Sequence, residues 1–126
     1  MSLRILAVDD SPTMRNLLNH TLTNAGFQVD LAEDGMEGIE HLESFDPDVI
    51  ITDVNMPRLD GLSFIEQARE MPRERVVPIL VLTTESAPEF KARARNAGAS
   101  GWLVKPFDEV RLVQAIHRVA IPAEGA

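Results

Sequence analysis

Asp48-Val49-Ile50-Ile51-Thr52-Asp53-Val54-Asn55 decides the fold class: a short run of β-branched apolar residues breaks abruptly into an acid and an amide. A run this short and this continuous fits a strand buried on both faces, the signature of a parallel sheet covered by helices. Working outward, the runs at 3–8 (Leu-Arg-Ile-Leu-Ala-Val) and 76–83 (Val-Val-Pro-Ile-Leu-Val-Leu-Thr) have the same character. Phe27-Gln28-Val29-Asp30-Leu31 alternates instead and reads as an edge strand, and a fifth run lies at 101–104. Amphipathic stretches at 12–24, 35–43, 61–70, 87–97 and 108–119 separate these runs and read as helices. Strands alternating with helices predict an α/β fold: a doubly wound, five-stranded parallel sheet with right-handed crossovers and helices on both faces.

Boundary residues carry their own chemistry. Pro12 suits the first helical turn, where its missing N–H costs nothing. Gly26 and Gly98 stand just past helix ends, where a left-handed residue is needed. Asp46-Pro47 and Met71-Pro72 mark loops. One domain over residues 1–120 with a short, frayed polar tail at 121–126 accounts for all 126 residues.

The net charge of −8 argues against direct nucleic-acid binding, which needs a basic face. With no cysteine there is neither a disulfide framework nor thiolate chemistry, no apolar run is long enough to span a membrane, and no signal peptide opens the chain. A cytoplasmic monomer is the expectation.

In an open parallel sheet the ligand crevice lies at the carboxyl ends of the strands. The first strand delivers Asp9-Asp10 to that edge, the third Asp53 followed by Asn55, the fourth Thr83-Thr84, and the fifth Lys105-Pro106. Singly, each residue has an ordinary explanation. Asp9-Asp10 before Ser11-Pro12 reads as helix capping, Asp53 as a turn opener, Thr83 as a strand residue and Lys105 as a solvated lysine. Together, at the ends of four strands, they read as one site. Converging carboxylates repel unless a cation joins them, and an all-oxygen set suits Mg2+, whereas no His or Cys cluster favours zinc. A metal, a carboxylate, a hydroxyl and an ammonium are the parts that phosphoryl transfer needs, with the cations neutralising phosphoryl oxygens while an Asp oxygen attacks in line.

Val8-Asp9-Asp10-Ser11, Ile51-Thr52-Asp53-Val54-Asn55-Met56-Pro57, Asp60-Gly61, Thr83-Thr84 and Lys105-Pro106-Phe107 together resemble the receiver domains of two-component response regulators. Asp10-Ser11-Pro12-Thr13-Met14-Arg15 and Gly98-Ala99-Ser100-Gly101-Trp102 are similar to the CheY-like chemotaxis branch. The likeness covers nearly the whole chain. It implies the flavodoxin-like strand order 2-1-3-4-5, Asp53 as phosphoacceptor, and Mg2+ held by Asp10, Asp53 and the main-chain carbonyl of Asn55, with Asp9 acting through water. It further implies that Thr83 and Lys105 contact the phosphoryl group, that Thr83 and Trp102 form the switch, and that Asn55 and Glu85 tune dephosphorylation. The Lys105–Pro106 peptide is expected to be cis on the same ground. The implied partners are a CheA-like histidine kinase, a flagellar motor switch protein and a phosphatase. The implied role is that of a signalling domain which assists its own phosphorylation and dephosphorylation rather than an enzyme.

With no output domain expected after the fifth helix, the resemblance places the signal on the face formed by the fourth helix, fifth strand and fifth helix. Two departures stand out: Trp102 occupies the switch position where many members carry Tyr or Phe, and Pro88 and Ala115 occupy positions where the enteric chemotaxis regulator has lysines. A phosphate sink or phosphorelay intermediate without a motor target is therefore the alternative. A nucleotide or flavin domain lacks support, because neither GxGxxG nor GxxxxGK[ST] occurs. A phosphatase with an aspartate nucleophile would usually carry a second acid where Asn55 stands. Phe45, Phe64, Phe90 and Phe107 read as core residues, His20, His41 and His117 as surface or boundary residues, and Arg69, Arg73 and Arg75 as a solvated basic stretch.

Overall fold

The computed structural model describes residues 3–56, 58–72 and 76–125, with side chains described up to residue 120. Pro57 of the acid-loop motif and Arg73 and Arg75 of the basic stretch lie outside the described residues. The order along the chain is β1 (Arg4–Val8), α1 (Pro12–Asn24), β2 (Gln28–Ala32), α2 (Gly35–Leu42), β3 (Val49–Thr52), α3 (Gly61–Glu70), β4 (Ile79–Thr83), α4 (Pro88–Ala97), β5 (Gly101–Val104) and α5 (Glu109–Gly125). All strands pair in parallel in the order β2-β1-β3-β4-β5.

The apolar strand runs divide their residues between two cores because successive side chains point to opposite faces. Ile5, Ala7, Val49, Ile51, Leu80 and Leu82 meet Leu18 and Leu22 of α1 and Leu112 and Ile116 of α5. Leu6, Val8, Ile50, Ile79 and Val81 meet Phe64 and Ile65 of α3, Leu42 of α2 and Ala94 of α4. Each fully buried aliphatic side chain contributes about 1.5–3 kcal/mol, so these two layers hold the sheet rigid beneath its carboxyl edge. Edge strand β2 is only partly covered, as its alternation predicts.

The helices differ in how firmly they are held. Ser11, Asp34 and Asp60 cap α1, α2 and α3 by accepting from the main-chain N–H groups of Met14, Glu37 and Ser63. By contrast, α4 has no side-chain cap at its first residue and buries only Ala94 fully. Gly98 ends α4 at φ 119°, and Gly26 follows α1 at φ 93°, both left-handed as expected.

Four expectations change, the first at Arg69: it is half-buried rather than solvated, and its guanidinium donates to the Gly98 carbonyl at 3.1 and 2.6 Å and to the Val77 carbonyl. The fourth strand begins at Ile79 rather than at residue 76: Val76 is exposed, and Pro78 has no N–H to add to a ladder, although its carbonyl accepts from Ile50. The last helix runs from Glu109 through Gly125, past the expected end at residue 119. Phe90 lies in neither core and instead sits half-buried beneath the Arg93 guanidinium, 5.5 Å from the ring centre. Phe64 is fully buried, and Phe45 and Phe107 pack against the cores. His20 and His117 are exposed, while half-buried His41 pairs with Asp30. Among the described residues, no helix is long and apolar enough to cross a membrane.

Candidate functional site

The sheet ladder extends one residue past β1 and β3. The Asp9 N–H donates to the Ala32 carbonyl at 3.0 Å, and the Asp53 N–H donates to the Val8 carbonyl at 3.0 Å. Both acids are thereby fixed at the carboxyl edge by main-chain bonds, and both are buried. Asp9 is held further by the Ser11 N–H on Oδ1 at 2.9 Å and by the Arg15 guanidinium on its carbonyl at 2.7 Å. Asp53 accepts from the Val54 N–H on Oδ1 at 2.6 Å. Thus the residues before α1 serve both as cap and as site, with Ser11 capping and Asp9 facing the crevice.

Lys105 arrives from β5, its N–H donating to the Thr83 carbonyl at 2.8 Å. Its ammonium donates to Asp9 Oδ2 and Asp53 Oδ2, each at 2.8 Å. The Lys105–Pro106 peptide is cis. Asp10 is exposed, and one carboxylate oxygen each from Asp9, Asp10 and Asp53 lies within 4.8 Å of the others. Three carboxylates against one ammonium leave two negative charges when all are ionised, the complement of a divalent cation. The donors are hard oxygens, so the residues fit Mg2+ better than a soft metal.

The electrostatics record this shortage of positive charge. Burial pushes the Asp9 carboxyl above its ordinary value, and the Lys105 hydrogen bond and the Ser11 N–H offset that only in part. Burial alone would lower the Lys105 ammonium, but its hydrogen bonds to Asp53 and Asp9 and the attraction of their charges together outweigh burial and hold it above its usual range.

Thr83, Glu85 and Trp102 form a connected line beside this cluster. Thr83 is fully buried, and its Oγ1 accepts from the Glu85 N–H at 3.3 Å. The Glu85 carbonyl in turn accepts from Trp102 Nε1 at 3.0 Å. Glu85 Oε1 receives the Ala87 N–H at 3.3 Å, at the entry to α4. Trp102 is half-buried and packs against the core beneath α4. Asn55 is exposed in the loop after Asp53. A Cβ on Gly61 would fall 1.9 Å from the Asp53 carbonyl oxygen, so only glycine lets α3 start so close to the site.

One contact beside the site was not legible in the sequence. Arg58, in the same loop as Asn55, adopts φ 66°, an uncommon conformation for a residue with a side chain. Its Nε donates to Asp34 Oδ2 at 2.7 Å and its Nη2 to Asp34 Oδ1 at 2.9 Å. Asp34 also caps α2 by accepting from the Glu37 N–H, a local contact. The contact with Arg58, 24 positions away, is not local.

The family model for the response regulator receiver domain matches residues 5–117. The chain belongs to this family. It is 39% identical over 129 aligned residues to a response regulator named MprA from Mycolicibacterium vanbaalenii, and it spans about half (55%) of that relative's length. Among solved structures it resembles the chemotaxis protein CheY4 of Vibrio cholerae, with 43% identity and a TM-score of 0.90 over 94% of this chain and 99% of that one. It also resembles the receiver domain of the Pseudomonas aeruginosa sensor histidine kinase PA1611, with 29% identity and a TM-score of 0.87 over 95% of this chain and 98% of that one. That structure has a magnesium ion coordinated in its active-site cleft. As a receiver domain, the chain is a module of two-component signalling.

Proposed function

We propose that this receiver is a Mg2+-dependent phosphorylation switch with Asp53 as the phosphoacceptor and a chemotaxis output. The observation that carries the reading is the Lys105 ammonium bridging buried Asp9 and Asp53 beside exposed Asp10. Asp10, Asp53 and the Asn55 main-chain carbonyl would hold Mg2+, with Asp9 acting through water. Bound there, the ion supplies charge that neutralises phosphoryl oxygens. An oxygen of Asp53 attacks phosphorus in line; the Oδ–P bond forms as the bond from phosphorus to the kinase imidazole breaks, and the imidazole leaves with its electron pair. Lys105, already within hydrogen-bond reach of Asp53, pairs with the incoming phosphoryl oxygens. The chain turns over no separate substrate: it assists its own phosphorylation and, with Asn55 and Glu85 beside the site, its own dephosphorylation.

The response runs through Glu85. When Thr83 Oγ1 turns to the phosphoryl group, it leaves the Glu85 N–H, and the Glu85 carbonyl is the acceptor for Trp102. Helix α4 is suited to rearrange, since it lacks a side-chain cap and buries one residue fully. A face of α4, β5 and α5 thereby changes its affinity for a partner. Going from 1:99 to 99:1 needs about 5.5 kcal/mol of differential binding, which the phosphoryl group and the partner would share.

Similarity to CheY4 supports a cytoplasmic monomer fed by a CheA-like kinase, acting on the flagellar motor switch and reset by a phosphatase. A relay or phosphate-sink role is the second reading, supported by similarity to the receiver of a sensor histidine kinase. Exposed Pro88 and half-buried Ala115, at positions where the enteric regulator has lysines, also favour it.

One experiment tests both levels. With a small phosphodonor and Mg2+, the wild-type chain is labelled and Asp53→Asn is not; labelling of the variant would overturn the site. Trp102, the only tryptophan, then reports titration with the source organism's motor-switch peptide, with and without a phosphoryl mimic. Tightening of tenfold or more, about 1.4 kcal/mol, supports the motor output, whereas no binding in either state moves the output to sink or relay.

A further inference from the structure

Arg58 follows Asp53 by five residues and Asn55 by three, and it grips an acid on another element. Asp34 is buried, caps α2 through the Glu37 N–H at 2.9 Å, and receives both Arg58 nitrogens on separate carboxylate oxygens. The backbone makes an equally close contact one residue on. A Cβ on Gly35 would stand 2.5 Å from the Leu59 carbonyl oxygen, so the start of α2 and this loop touch directly. At its far end the loop is tied back by the Gly61 N–H to the Val54 carbonyl at 2.7 Å. The segment carrying Asn55 is therefore closed on itself at its ends and pinned sideways to α2 at Arg58 and Leu59. A left-handed arginine persists only where its surroundings over-determine it, and the two-pronged bond to Asp34 is that constraint.

We propose that Arg58 and Asp34 form a latch that positions the Asn55 main chain for the divalent cation, making both of them positioning residues for the phosphorylation site. The inference rests on the metal reading given above. It acts through loop geometry rather than charge, and this makes it separable by sign. Arg58 is a cation, so a purely electrostatic role predicts that removing it tightens Mg2+ binding by relieving like-charge repulsion. A latch predicts that removing it weakens Mg2+ binding, because the loop carrying one ligand is released. Removing the Asp34 charge weakens binding on either view, so Arg58 is the informative position.

The test is calorimetric titration of the full chain with magnesium chloride. Arg58→Gly tolerates the left-handed backbone but removes the whole side chain, and Arg58→Lys, which keeps a side chain on that backbone, serves as its control. Asp34→Asn keeps the helix cap and removes only the charge. The latch predicts threefold to tenfold weaker Mg2+ binding in each. It also predicts a double variant no weaker than the weaker single, because both changes break one contact. Arg58→Lys recovers part of the affinity, since a lysine offers a point charge but no fork. Tighter or unchanged Mg2+ binding in Arg58→Gly overturns the latch, as does full additivity in the double variant. If Arg58→Gly does not fold, Arg58→Lys takes its place: binding equal to wild type overturns the latch, and weaker binding supports it. Absence of Mg2+ binding by the wild-type chain would instead overturn the underlying metal reading.

Discussion

Two acid–cation contacts flank the carboxyl edge of this sheet, and they differ in who is short of a partner. At the strand ends, Asp9 and Asp53 share one ammonium, and burial leaves Asp9 above its ordinary carboxyl range despite that contact. Beside it, Asp34 has a whole guanidinium and a helix N–H to itself. Arg58 hydrogen bonding comes first among the influences that hold its carboxyl below the ordinary range, against the opposing effect of burial. The first contact is under-neutralised and therefore open to another cation; the second is satisfied and holds shape. Two acid–base clusters, one on a lysine and one on an arginine, are thus fitted to different work by the ratio of acids to bases and by burial.

Removing the shared base is the harshest way to break this comparison. Lys105→Met keeps much of the side-chain volume but leaves two buried carboxylates facing each other, which costs about 3 kcal/mol in urea unfolding at neutral pH with chelator present. Adding Mg2+ returns more stability to this variant than to wild type, because the unmet charge is larger. Arg58→Met should cost less: Arg58 is more than half exposed, at 55%, so water enters where the guanidinium leaves. Equal losses at the two positions, or no extra benefit from Mg2+ in Lys105→Met, would erase the distinction.

The strand-end cluster was legible in the sequence, and the lateral one was not, for a physical reason. Parallel strands deliver their last residues to one edge, so Asp9, Asp53, Thr83 and Lys105 could be placed together from apolar periodicity alone. Local rules likewise located the start of α1 and the left-handed Gly26 and Gly98. Those rules gave no signal for Arg58, because a left-handed arginine is created by its partner rather than by its neighbours. The end of α5 was placed too early, at residue 119, because Pro122 reads as a stop, yet the helix runs through Gly125. The Glu85 bridge between Thr83 and Trp102 was hidden too, since it runs through Glu85 main-chain atoms that every residue possesses.

The finest test of the comparison is the sign of two pH profiles. Asp34 has a folded pKa below the ordinary 3.8, so its ionised form stabilises the fold. That contribution is complete above the unfolded value and is lost as pH falls through the folded one. Asp34→Asn should therefore be less stable than wild type at pH 7, with a Tm lower by a few degrees, and the gap should close only below about pH 4. Asp9 has a folded pKa above 3.8, so its ionised form opposes the fold. Its penalty is present above the folded value and vanishes as pH falls to the unfolded one. In chelator, Asp9→Asn should be more stable than wild type at pH 7, by about 1 kcal/mol, at the expense of Mg2+ binding. This gain should shrink at a higher pH than the Asp34 loss does, because one transition lies above 3.8 and the other below it. Thermal melts across pH 3–7 for wild type and both variants would show two difference curves of opposite sign. Curves of the same sign would mean that the edge cluster is as well neutralised as the latch, and its surplus of negative charge could no longer be the reason a cation is drawn there.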